Sequence, residues 1–190
     1  MDVVILHGTR GCPEGNWFPW LKTELEQRGH TVYVPRFPTP EEQTKDSWSA
    51  ALRDQAPVFG RDTVLIGHSL GANFMLHILE LVQEPVARSI FVSPVMGPLG
   101  FPEFDTLNSS FLKREGFDWP KIASHAGVVS IYHGADDPYV PQSHAEFLKD
   151  CIGGTLDIVP GGGHLNAEAG YTKFPDILFE IETFSEGNAQ

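Results

Sequence analysis

Short apolar runs rich in β-branched residues alternate along the chain with longer stretches of helical period. Runs at residues 3–6, 31–34, 63–66, 89–92, 128–132 and 155–159 predict strands. Several are nearly continuous in apolar residues, as strands buried on both faces of a parallel sheet are. Between them, residues 17–28, 40–55, 70–82, 141–151 and 173–184 predict helices. In the last of these, Phe174, Ile177, Leu178 and Ile181 fall on one face at helical spacing. The second is expected to open at Thr39-Pro40-Glu41-Glu42, a capping box with proline at the first helical position. Strand–helix alternation of this kind predicts an α/β fold, with helices on both faces of an open, mainly parallel sheet.

Residues 94–120 break the rhythm. Pro94, Pro98, Pro102 and Pro120, with Gly97 and Gly100, stand among Phe101, Phe104, Phe111, Leu112 and Trp119. A connection this long inside a compact domain usually serves function, so the segment is expected to be a lid or pocket cover. The plainer reading is a loop with one short helix, over residues 105–114, that covers the sheet. No repeat and no linker marks a second unit, so residues 1–190 read as one domain.

Composition and charge remove whole classes of function. With 41% hydrophobic and 20% charged residues in 190, the chain is an ordinary globular one. The formal charge of −12, without a basic run, argues against nucleic acid and anionic membrane surfaces as partners. Cys12 and Cys151 are too few for a disulfide framework and lack zinc-ligand spacing; they read as two reduced thiols. No metal and no organic cofactor is expected. The N-terminus carries no signal-peptide pattern, and no run approaches the roughly 20 apolar residues of a membrane span. A cytoplasmic location is expected.

The chemistry sits after three strands. Gly67-His68-Ser69-Leu70-Gly71 follows the strand at 63–66 and opens a helix, which is the context GxSxG requires. Ser69 is the candidate nucleophile. The flanking glycines let strand and helix pass closely, and the helix N-terminus points free N–H groups at a developing oxyanion. A serine hydroxyl needs a base, and the base needs an orienting acid. His164, after Gly161-Gly162-Gly163, is the candidate base. Asp136 and Asp137, after the strand at 128–132, supply the acid; only one can face His164, and Asp137 is preferred. The order Ser, Asp, His after three different strands is where an α/β sheet assembles a site at its carboxyl edge.

The remaining assignments are less constrained. An oxyanion hole is expected from the backbone N–H groups of Leu70 and of Thr9, in the glycine-rich turn after the first strand. A phosphate-cradling role for that turn lacks the lysine it would need. His7 and His68 are expected to pack or bond to backbone. Trp17, Phe18, Trp20, Phe101, Phe104 and Trp119 are candidates for the walls of an apolar acyl pocket, with ordinary core packing as the alternative for each.

These residues resemble the α/β-hydrolase superfamily, and within it the small serine hydrolases typified by retinoblastoma-binding protein 9 and its bacterial relatives. The resemblance rests on His7-Gly8, Asn16-Trp17-Phe18-Pro19-Trp20-Leu21, the GHSLG elbow, the HGxxDxxVP run at 133–141 and GGGHLN at 161–166, and covers residues 2 to about 184. It implies Ser69 as nucleophile, Asp137 as acid, His164 as base, and Leu70 and Thr9 as oxyanion donors. The family pattern supports Asp137 over Asp136. It further implies a reduced hydrolase sheet of about six strands, ordered 2-1-3-4-5-6, without the large cap of bigger relatives. The expected function is hydrolysis of a small acyl ester, thioester or activated amide through an acyl-enzyme, falling off as acid protonates the base. The rival reading is a non-catalytic ligand- or protein-binding module on a hydrolase scaffold.

Overall fold

The computed structural model describes residues 1–112 and 116–187. The chain begins with β1 (Asp2–Leu6), α1 (Phe18–Gln27), β2 (Thr31–Tyr33), α2 (Lys45–Gln55), β3 (Thr63–His68) and α3 (Leu70–Leu81). It continues with β4 (Arg88–Val92), α4 (Pro102–Asn108), α5 (Trp119–His125), β5 (Val128–Gly134), α6 (Gln142–Ile152), β6 (Thr155–Val159), a 3-10 turn at Ala167–Ala169, and α7 (Pro175–Gly187). All six expected strands form, and they pair in the order β2-β1-β3-β4-β5-β6 with every neighbour parallel.

Strand periodicity sorts the core into two layers. Val4, Leu6, Leu65 and Phe91 point to one face, against Trp48 and Leu52 of α2, Phe74 and Leu76 of α3, and Leu148 of α6. Val3, Ile5, Val64, Ile66, Ile90 and Val92 point to the other, against Leu21 and Leu25 of α1 and Ile177 and Ile181 of α7. Each fully buried Leu or Ile contributes about 1.5–3 kcal/mol relative to exposure. The chain leaves β1 for one face and β3 for the other, so the two loops part at the carboxyl edge. That parting opens the crevice in which α/β sheets hold ligands.

Two expected elements begin elsewhere. α2 starts at Lys45, and its capping box is Thr44 with Ser47, not Thr39 with Glu42. The Thr39 hydroxyl is already engaged: it accepts from the Arg10 N–H (2.7 Å) and donates to Gln43 Oε1 (2.5 Å). Glu42, at φ 57°, also breaks the helical path before Lys45. In the 94–120 segment the short helix runs over Pro102–Asn108 instead of 105–114, whose residues 113 and 114 lie outside the described ones. Pro102 presets the first turn, while Asp105 accepts from the Leu99 and Gly100 N–H groups and ties the preceding loop back onto the helix. The segment also contains the start of α5, which the proline-rich composition concealed.

Candidate active site

Ser69 occupies the turn between β3 and α3 at φ 58°, ψ −120°, a left-handed conformation that L side chains rarely adopt. The surrounding glycines explain why it is held there. A Cβ on Gly67 would stand 2.6 Å from the Ala72 Cα, and one on Gly71 would stand 2.2 Å from the Leu6 carbonyl oxygen. A Cβ on Gly8 would meet the Ser69 Cβ at 2.7 Å and the Leu70 nitrogen at 3.2 Å. The loop after β1 therefore lies directly on the elbow. Ser69 is thereby lifted at the head of a twelve-residue helix.

His164 and Asp137 arrive from the loops after β6 and β5. His164 Nδ1 donates to Asp137 Oδ2 at 2.8 Å, and the Asp137 side chain is only 1% exposed. Asp137 Oδ1 accepts from the Tyr139 and Val140 N–H groups at 2.9 and 3.0 Å. Burial alone would raise this carboxyl. The hydrogen bond and charge of His164, with the two backbone donors, instead hold it below the usual carboxylate range. Asp136 faces a different partner, accepting from the Gly163 N–H at 3.0 Å. It thus steadies the glycine loop that carries His164. That loop runs so close to β5 that a Cβ on Gly134 would lie 2.0 Å from the Gly163 carbonyl oxygen.

Ser69 and His164 line one cavity of about 260 Å³, together with Thr9, Leu99, Phe104, Asn108, Tyr139 and Val140 among others. The His164–Asp137 pair is joined by its hydrogen bond, whereas among the described residues the Ser69 hydroxyl makes none and shares only the cavity lining with His164. A family model described as serine hydrolase matches residues 3–182. The chain belongs to the serine hydrolase family. The YdeN protein of Bacillus subtilis (strain 168) is 30% identical over 184 residues, spanning 96% of this chain and 94% of that one. Its crystal structure matches at a TM-score of 0.88 and 28% identity, covering 97% and 98% of the two chains. Serine hydrolase RBBP9 of Rattus norvegicus is 25% identical over 183 residues, 95% of this chain and 93% of its own. A meta-cleavage product hydrolase from Pseudomonas fluorescens IP01, 13% identical at a TM-score of 0.66 over 99% of this chain and 91% of that one, shares the α/β-hydrolase fold.

In this serine hydrolase the aromatic candidates divide. Phe104 lines the cavity, with Phe101 packed edge-on against it at 6.2 Å and 42% exposed. Trp17 and Phe18 are not brought to the cavity. Both are fully buried in the α1–α7 layer, where Trp17 packs on Phe174. The reason is geometric: they start α1, and its apolar stripe has to face the sheet. Trp17 still acts on the site indirectly, since its Nε1 donates to the Leu165 carbonyl, next to His164. Trp20 packs in the same layer, and Trp119 lines a neighbouring cavity with Met96 and Phe147. Among the described residues no cluster of His, Cys, Asp and Glu is arranged to hold a metal ion, and no helix is long and apolar enough to cross a membrane. Both cysteines are free.

His7 and His68, expected to pack or to bond to backbone, do the latter and brace the loops. His7 Nε2 accepts from the Phe37 N–H, which leaves Nδ1 protonated and donating to the Gly8 carbonyl at 2.9 Å. His68 Nε2 donates to the His164 carbonyl at 2.9 Å. Full burial pushes the His68 imidazole down to about 3, with the neighbouring His164 charge acting in the same direction. Its folded-state value lies below the ordinary 6.5, so between pH 6.5 and about 3 only the unfolded chain takes up this proton. Stability should therefore fall with acid in that window, by up to about 1.4 kcal/mol per pH unit from this group. His68→Gln should flatten the acid limb of urea-unfolding free energy measured from pH 7 to 4. An unchanged slope would mean that His68 is not the proton acceptor. His7 and His133, both also lowered by burial, should retain part of the slope.

Proposed function

We propose that this protein hydrolyses small carboxylic esters through a Ser69–His164–Asp137 triad and an acyl-enzyme intermediate. The observation that carries the reading is the 2.8 Å bond from His164 Nδ1 to the buried Asp137, on the wall of the cavity that Ser69 enters from a strained elbow. Asp137 fixes the imidazole with Nδ1 protonated, so Nε2 is the free base. His164 Nε2 takes the Ser69 proton as Oγ attacks the acyl carbonyl. The oxyanion receives hydrogen bonds from the backbone N–H groups of Leu70 and Thr9. Collapse expels the alcohol, which leaves with the proton held on His164. Water then attacks the acyl-enzyme with His164 again as base, and the carboxylate departs. No metal or organic cofactor enters these steps.

Cavity size bears on the substrate. An apolar cavity of about 150 Å³ accommodates benzene, so about 260 Å³ suits a short aliphatic or single-ring acyl group. A series of p-nitrophenyl esters should give kcat/KM highest for two- to four-carbon acyl groups and at least about tenfold lower for dodecanoate. A preference for the long chain would overturn the small-ester assignment. Substrates of this size leave no need for a lipid surface. A cytoplasmic location fits such a substrate. A binding module has no need of a base oriented towards a serine by a buried carboxylate.

A further inference from the structure

One wall of the cavity is built by a hydrogen-bond chain whose direction can be read from its ends. The Arg10 N–H can only donate, and it reaches Thr39 Oγ1 at 2.7 Å. The Thr39 hydroxyl hydrogen then goes to Gln43 Oε1 at 2.5 Å. Gln43 therefore turns its NH2 the other way, where it meets the Leu107 carbonyl at 3.2 Å, an atom that can only accept. The same Nε2 reaches Asn108 Oδ1 at 3.0 Å and Thr9 Oγ1 at 3.1 Å. The Thr9 hydroxyl donates to Asn108 Oδ1 at 2.6 Å. Asn108 thus presents its oxygen to two donors, and a flipped amide would set its NH2 against the NH2 of Gln43, which the Leu107 carbonyl holds in place.

The consequence falls on Asn108 Nδ2. Asn108 is 2% exposed and lines the cavity with Ser69 and His164. Among the described residues its Nδ2 has no acceptor, yet it is not sealed in protein, so it faces the cavity. Three other side chains on this wall have partners within the protein. Tyr139 donates to Glu168 at 2.8 Å, Thr9 donates to Asn108, and the Arg10 guanidinium pairs with Glu103. Asn166, half-buried on the same wall, caps the 3-10 turn with its oxygen, which accepts from the Ala169 N–H.

We propose that Asn108 determines specificity: its Nδ2 donates to an acceptor oxygen of the substrate other than the scissile carbonyl, so the preferred esters carry an ether, hydroxyl or keto oxygen. This deepens the ester-hydrolase reading and rests on it. A hydrocarbon group placed against Nδ2 would strip water from a donor and offer nothing in return. Sites built to hydrogen-bond a substrate discriminate strongly against analogues that lack the partner. Thr9 and Gln43 fix the position of the donor beforehand, so little ordering is needed on binding.

Isosteric esters test this. p-Nitrophenyl methoxyacetate and butanoate differ on the acyl side by O for CH2, and the 2-methoxyethyl and butyl esters of one acid differ likewise on the alcohol side. In the wild-type enzyme, at least one pair should show a kcat/KM preference for the oxygen ester about tenfold or more above its preference in hydroxide-catalysed hydrolysis. Asn108→Asp keeps the oxygen that Thr9 and Gln43 need but replaces the donor, and Asn108→Ala removes it. Either variant should abolish the excess preference, and because each ratio is internal, the folded fraction cancels. A purely structural Asn108 would change both members of a pair equally. Ratios that match hydroxide hydrolysis in both pairs, or that survive both substitutions, overturn the proposal. Failure of the wild-type enzyme to hydrolyse any of the four esters overturns the underlying ester-hydrolase reading as well.

Discussion

Replacement of Ser69 by alanine should lower ester hydrolysis about 10⁴-fold or more while leaving the melting temperature within a few degrees of wild type. The size follows from what is lost: without Oγ there is no acyl-enzyme, and only the oxyanion donors and binding remain. The small stability effect follows from the elbow. Ser69 holds its left-handed backbone whatever its side chain, because Gly67, Gly71 and Gly8 let β1, β3 and α3 approach there. The hydroxyl itself makes no hydrogen bond among the described residues, so its removal leaves no buried partner unsatisfied. Steady-state p-nitrophenyl acetate hydrolysis, with thermal unfolding alongside, checks both halves. Retention of more than a tenth of the activity would remove Ser69 from the chemistry.

Asp137→Asn should cost about 10³–10⁴-fold in kcat with little change in KM. The asparagine oxygen can replace Asp137 Oδ1 as acceptor of the Tyr139 and Val140 N–H groups. Its NH2 then faces His164 Nδ1, which must accept. The imidazole proton moves to Nε2, the position that has to be bare to take a proton from Ser69, and the base is lost without any change of shape. Asp136→Asn is the control. Asp136 receives only the Gly163 N–H, and an amide oxygen serves there too, so kcat should stay within about threefold. A larger effect at Asp136 than at Asp137 would transfer the orienting role to the other carboxylate.

What could be read from the sequence was whatever has local causes. Short β-branched apolar runs specify strands, a strand–glycine–serine–glycine–helix junction specifies an elbow, and both kept their places. Hydrophobicity alone could not say where Trp17 and Phe18 would go, because a core side chain and a pocket wall share that property; the stripe of α1 decided it. The α2 start was misplaced because Thr39 bonds to Arg10 and Gln43, a tertiary arrangement that competes with capping. The Thr9–Gln43–Asn108 contacts span as many as 99 positions, and no spacing in the chain announces them. His68 and His164 are likewise joined across 96 positions. A glycine-flanked histidine could be recognised in the sequence; the buried histidine that holds its backbone could not.

The most direct test of an activated Ser69 is intact-mass measurement after treatment with a fluorophosphonate, which captures only a serine whose proton a neighbouring base removes. The wild-type protein should gain the mass of one phosphonyl adduct, and Ser69→Ala and His164→Ala should each gain none over the same interval. A folded wild-type protein that remains unmodified, or a Ser69→Ala variant that labels as the wild type does, would contradict the account.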